Sequence, residues 1–124
     1  MVYTTYISNM KNIPQDAKKI LIMRYIPKSL KDDKYNLMWM PDLAPQQAIL
    51  NQYKNNEISF EDLTLAFKRY LVLKEEAKIA INKLKDMLSK EDVYLICCEK
   101  DSSICHRTIL KEYLISLGYK GEEM

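Results

Sequence analysis

The stretch Val93-Tyr94-Leu95-Ile96-Cys97-Cys98 decides the fold. Both of its alternating faces are apolar, the pattern of a strand covered on two sides, as in a sheet packed between helices. Glu99-Lys100-Asp101-Ser102-Ser103-Ile104 follows as a polar loop, and Cys105-His106-Arg107 opens a helix predicted from about Ser103 to Leu117. Leu110, Tyr113, Leu114 and Leu117 form the inner face of that helix. Gly118 comes next as a natural C-cap, with Tyr119 packing back on the last turn.

Working toward the N-terminus, residues 59–88 carry the strongest helical signal. Ser59 caps the start and Asp62 stands three residues on, the spacing of a capping box. Phe60, Leu63, Phe67, Tyr70, Ala77, Ile81, Leu84 and Leu88 then recur in steps of three and four, interrupted only by Lys74. The stripe fits one long helix or two with a break near residues 72–75, and packing against a sheet explains it better than a coiled coil. Residues 45–54 predict a short helix with Pro45 in its first turn. Pro27 to Pro45 holds three of the four prolines and the only tryptophan, Trp39, and reads as a long structured loop. Residues 2–7 and 19–26 are β-branched, aromatic and aliphatic, and predict two further strands. The tail after Gly121 is expected to fray.

Strand, strand, helices, strand, helix is the order of an α/β domain. The expectation is a single domain over residues 1–124: a small Rossmann-like open sheet of about three mostly parallel strands flanked by helices. The helical connection to the third strand suits a right-handed parallel crossover. The roughly eleven-residue link between the first two strands is near the minimum for a crossover and leaves their pairing open.

Composition narrows the function. The chain has 124 residues, 48% apolar and 29% charged, with a net charge of +2, too small to imply nucleic acid by itself. Only two glycines occur, both near the C-terminus, so there is no glycine-rich phosphate loop. No run approaches a membrane span, and the N-terminus lacks the pattern of a signal peptide. Three cysteines within nine positions do not make a secreted disulfide framework, and a reducing, cytoplasmic setting is expected.

In open α/β sheets ligands bind beyond the carboxyl ends of the strands. That rule points to Cys97, Cys98, Glu99 and the helix start at Cys105–Arg107, joined by Arg24 and Ser8-Asn9 if all strands are parallel. A thiol at a helix start meets unpaired N–H groups that lower its pKa, so Cys105 reads as a nucleophilic thiolate or as a small buried residue. His106, the only histidine, is either a proton carrier or a structural donor to a loop carbonyl. Arg107 reads as an anion site at the helix start or as an ion pair with Glu99 that locks the loop. Cys97 and Cys98 are neighbours on a strand and point to opposite faces, so they do not readily share a metal. Cys97 or Cys98 with Cys105 and His106 could ligate zinc, but the paired knuckles of zinc motifs are missing, and no metal or other cofactor is assigned. A Cys97–Cys105 disulfide depends on a Cα separation within about 7 Å. Lys28, Lys31 and Lys34 with Tyr35 and Trp39 make a basic aromatic loop, diluted by Asp32, Asp33 and Asp42; a solvated surface is its simplest reading.

The composite Leu95-Ile96-Cys97-Cys98-Glu99-Lys100 and Cys105-His106-Arg107 resembles the signature of the family called domain of unknown function 488 (DUF488), in which a strand ends in Cys-x-Glu and Cys-His-Arg opens a helix. Tyr3-Thr4-Thr5-Tyr6, Arg24 before Pro27, Leu43-Ala44-Pro45, Tyr53-Lys54 and Ile58-Ser59 are similar to the same pattern, so the likeness spans nearly the whole chain. Asn55-Asn56 replaces an expected turn glycine, and Cys98 stands where relatives often carry an aromatic. The resemblance implies fold and site; the family's name carries no established role.

The functional expectation is a small thiol-dependent enzyme or redox protein acting on an anionic, phosphate- or nucleotide-like small molecule. Cys105, His106 and Glu99 would be catalytic, and Arg107, Arg24 and Cys97 would bind substrate. The alternative is a non-catalytic module binding nucleic acid or protein, with the Cys-His-Arg cluster structural. No membrane partner is expected.

Overall fold

The computed structural model describes residues 1–30 and 36–124. Lys31, Asp32, Asp33, Lys34 and Tyr35 of the basic loop lie outside the described residues. Five strands pair in one sheet: β1 (Val2–Tyr6), β2 (Lys18–Leu21), β3 (Leu37–Trp39), β4 (Val93–Cys97) and β5 (Gly121–Glu123). Their order is β3-β2-β4-β1-β5, and every pairing is parallel.

The two-sided apolar strand takes the centre. β4 lies between β1 and β2, with Val2 opposite Val93 on one side and Lys18 opposite Val93 on the other. Val93, Leu95, Ile96 and Cys97 are buried. The open question of the first two strands resolves accordingly: they are parallel but not adjacent, since β4 separates them, and a 3-10 turn at Ile7–Asn12 begins the link.

Two strands exceed the three expected. β3 arises inside the proline-rich segment read as loop, where Leu37, Met38 and Trp39 pair with Lys19, Ile20 and Leu21. β5 arises in the tail expected to fray, where Gly121, Glu122 and Glu123 pair with Val2, Tyr3 and Thr4. Gly121 suits that position because a Cβ would stand 2.9 Å from Lys111 Cγ and 3.0 Å from Val2 Cγ1. β2 is shorter than expected: the chain leaves the sheet after Leu21, though Ile22 N–H still donates to the Ile96 carbonyl at 2.9 Å.

Four α-helices are described: α1 (Gln47–Lys54), α2 (Phe60–Leu73), α3 (Glu75–Leu88) and α4 (His106–Ser116). Ser59 and Asp62 form the capping box, through Asp62 N–H to Ser59 Oγ at 3.0 Å and Ser59 N–H to Asp62 Oδ2 at 3.2 Å. The long stripe is two helices. Lys74 adopts extended geometry (φ −84°, ψ 134°) at the one charged position of the stripe. Glu75 and Glu76 then sit in the first turn of α3, where acidic side chains favour the helix dipole. Pro45 lies just ahead of α1 rather than inside it. α4 begins later than expected because a 3-10 turn occupies Ser102–Ile104, which makes Cys105 its N-cap. It ends as read, with Gly118 at φ +103° and Tyr119 N–H donating to the Leu114 carbonyl at 3.2 Å.

Among the described residues no helix is long and apolar enough to cross a membrane.

Candidate functional site

The chain runs outward from β2 to β3 and, in the other direction, from β4 over β1 to β5, so the sheet has its switch point beside the end of β4. A pocket of 210 Å³ opens there. Met23, Arg24 and Tyr25 reach it from the end of β2, and Cys97, Cys98 and Glu99 from the end of β4. Ile104, Cys105 and His106 come from the start of α4, and Leu50, Tyr53, Lys54, Phe60 and Leu63 from α1 and α2. Five of the six residues read from the sequence as the site therefore meet at one opening, and Arg107 stands behind it. Ser8 and Asn9 do not line it; Asn9 Nδ2 instead donates to Thr5 Oγ1 at 2.9 Å.

The loop between Cys98 and Cys105 is braced from within. Asp101 N–H donates to Glu99 Oε1 at 3.0 Å, Ser103 N–H to Asp101 Oδ1 at 3.0 Å, and Thr108 Oγ1 to the Ser102 carbonyl at 2.6 Å. Arg107 braces it from behind. Its side chain is 0% exposed, and it donates to the carbonyls of Glu99 and Lys100. Its carboxylate partner is Glu123 on β5, not Glu99: Nε meets Oε1 at 3.1 Å and Nη2 meets Oε2 at 2.9 Å.

Arg24 is also anchored. Nε donates to the Pro45 carbonyl and Nη2 to the Ala44 carbonyl, both at 2.8 Å, and Nη1 approaches Asp42 Oδ1 at 3.4 Å. The guanidinium lies 5.2 Å from the Tyr70 ring centroid. These bonds fix the segment before α1 against the pocket wall.

His106 Nε2 lies 2.5 Å from the Ile22 carbonyl oxygen. A carbonyl only accepts, so Nε2 carries the proton and Nδ1 is the basic atom. Burial, with Arg107 and Arg24 nearby, lowers the imidazole pKa to about 4, so the ring is neutral near pH 7. The Phe67 ring stands perpendicular to it, with centroids 5.9 Å apart and an interplanar angle of 89°.

The three thiols are free, Cys97 and Cys105 buried and Cys98 exposed. Cys97 is pushed well above the ordinary thiol range by the neighbouring thiols of Cys105 and Cys98 and by burial. Cys98 is lowered to about 6, chiefly by Cys97. Cys105 is lowered by Cys97, then by the Arg107 backbone N–H and guanidinium. Cys97 has one S–H and can serve one neighbouring thiolate at a time. Besides Cys97, Lys54 lowers Cys98 and Arg107 lowers Cys105.

Cys97, Cys105 and His106 also present ligand atoms within 4.8 Å of one another, the donor types of a zinc site. One detail weighs against that fit. Cys97 Sγ is 3.7 Å from His106 Nδ1 and 3.6 Å from Nε2. A sulfur equidistant from both nitrogens lies off the in-plane lone pair of either, so Nδ1 and Sγ do not converge on one ion without side-chain rotation.

Sequence reasoning did not single out Lys54, Tyr53, Phe60 and Tyr25 as site residues. Tyr53-Lys54 entered only as part of a family pattern, and proximity across 40 residues has no local signal.

The model of DUF488-N3a, described as the active DUF488-N3 subclade, matches residues 2–118. Comparison with curated proteins and with solved structures returned no match.

Proposed function

The chain belongs to the DUF488 family, and from that premise we propose that it is a small thiol-dependent enzyme acting on an anionic substrate in the pocket beside β2, β4 and α4. The observation that carries the reading is the asymmetry of its buried thiols. The Cys97 thiol is pushed up, whereas the Cys105 thiol, at the cap of α4 and two residues from the buried Arg107, is lowered. The description of the subclade as active agrees with it.

Cys105 is the nucleophile, and Cys97 supplies the S–H that steadies it. Glu99 lines the pocket and moves protons; its Oε1 is engaged by Asp101 N–H, and among the described residues Oε2 has no such bond. His106, neutral and tied to Ile22, orients the site, and Arg107 holds the loop instead of contacting substrate. Positive charge toward the substrate comes from Lys54 and from the remaining face of Arg24. The wall is otherwise largely apolar and aromatic, which fits a substrate with an apolar body and an anionic end. Three free thiols fit a reducing, cytoplasmic compartment.

The test compares alkylation of Cys105 by iodoacetate and iodoacetamide, normalised to free cysteine. An anion-accepting thiol site predicts a relative preference for iodoacetate that Lys54→Ala reduces. No preference, or no reaction at Cys105, counts against the proposal.

The second reading, a non-catalytic module binding nucleic acid or protein, draws support from His106 and Arg107, which spend their donors largely on backbone carbonyls and Glu123. It predicts that Cys105→Ala leaves all binding intact.

A further inference from the structure

Arg107 has five N–H donors, and four of them are accounted for. Nε and one Nη2 donor go to Glu123, the other Nη2 donor to the Lys100 carbonyl, and one Nη1 donor to the Glu99 carbonyl. Cys105, the N-cap of α4, stands two residues before Arg107, and the buried guanidinium lowers the pKa of its thiol. One buried cation therefore stands between a carboxylate on the last strand and a thiol facing the pocket. Thr4 completes the carboxylate's setting, with Oγ1 donating to Glu123 Oε1 at 2.6 Å. Glu123 lies beyond residue 118, where the family match ends.

We propose that Glu123 is a positioning residue of the thiol site, acting through Arg107 to hold the Glu99–Lys100 loop and to set how much positive charge faces Cys105. The proposal rests on the thiol reading of the pocket. The charge logic is direct: the guanidinium serves two anionic partners, and the carboxylate draws it away from the sulfur. Neutralise the carboxylate and the guanidinium charge that it offset acts in full on Cys105 and on Asp101 of the loop. Other groups facing Cys105 are Cys97 from β4 and His106 from α4, with Cys98, Glu99, Arg24 and Lys54 around the pocket. Among the described residues the side-chain donors to the Glu123 carboxylate are Thr4 and Arg107, and of these Arg107 adjoins the thiol.

The experiment titrates thiolate absorbance near 240 nm in a Cys98→Ser background, comparing Glu123, Glu123→Gln and Glu123→Asp, with circular dichroism confirming the fold. This readout needs no reagent to enter the pocket. The first thiolate midpoint is expected to fall by roughly one pH unit in Glu123→Gln. It is expected to fall by less in Glu123→Asp, whose carboxylate keeps the charge but reaches less far. Amide hydrogen exchange in the 99–104 loop is expected to quicken in the same order. If Glu123→Gln does not fold, Glu123→Asp carries the comparison. A midpoint that is unchanged or rises in the folded variant, or loop exchange identical to the parent, overturns the proposal. A parent midpoint at the ordinary thiol value of about 8.5 would instead overturn the thiolate reading, while the difference between variants would still judge Glu123.

Discussion

The Nε2 atom of His106 and the carbonyl oxygen of Ile22 stand 2.5 Å apart, tying the first residue of α4 to the residue after β2. The bond requires a protonated Nε2, and burial keeps the rest of the ring neutral, with the pKa lowered to about 4. In the unfolded chain the value is about 6.5. The unfolded state therefore takes up a proton that the folded state refuses as pH falls from 6.5 toward 4. Stability from this residue is fully present above about 6.5 and is lost across that interval, amounting to about 3 kcal/mol. Urea midpoints measured at pH 7.5 and 4.5 should show the loss, with a shallower dependence in His106→Gln. Equal dependence in both proteins would contradict the assignment.

Arg107 supports a second prediction. Removing its side chain takes the guanidinium from two loop carbonyls and leaves the Glu123 carboxylate with the Thr4 hydroxyl as donor. Breaking a buried ion pair from one side costs about 3–5 kcal/mol. Glu123 is 27% exposed, so Arg107→Ala belongs at the lower end of that range. Arg107→Lys retains the charge but not the planar fork and should recover only part of the loss. Chemical unfolding of both variants checks this, and an Arg107→Ala midpoint equal to that of the parent would refute it.

Much of this was legible in the residues. VYLICC announced a strand covered on both faces, and it is the central strand. The 59–88 stripe gave two helices because Lys74 interrupts it just where two glutamates can open a new N-terminus. What escaped had no local signature. β3 is three residues long with Met38 and Trp39 half exposed, so it shows neither alternation nor length. β5 is built from Gly-Glu-Glu, poor strand formers held by pairing with β1 and by Glu123 reaching Arg107. The same long-range contact explains why Glu99 looked like the partner of Arg107: it is near in sequence, whereas Glu123 is near in space.

The thiols make a third prediction. Because the Cys97 thiol lowers both Cys98 and Cys105, removing Cys98 should leave its effect to Cys105. Cys97→Ala is expected to raise the apparent pKa of Cys105, and Cys98→Ala to lower it. Per-residue alkylation followed by mass spectrometry reads both. Shifts in the same direction would contradict this coupling of the thiols.

The trio Cys97, Cys105 and His106 makes a fourth. With Cys97 Sγ off both nitrogen lone pairs, protein purified without chelators should contain zinc well below one equivalent by elemental analysis. Stoichiometric zinc lost on Cys97→Ser would reassign the trio as ligands.

The central claim is that Cys105 is a thiolate facing the pocket, and the most direct test is the pH dependence of its alkylation in the parent protein, resolved for each cysteine. An apparent pKa clearly below the ordinary value of about 8.5, with Cys97 unreactive over the same range, is the predicted result. A Cys105 that titrates as an ordinary thiol, or stays unreactive while Cys97 is modified, would contradict it.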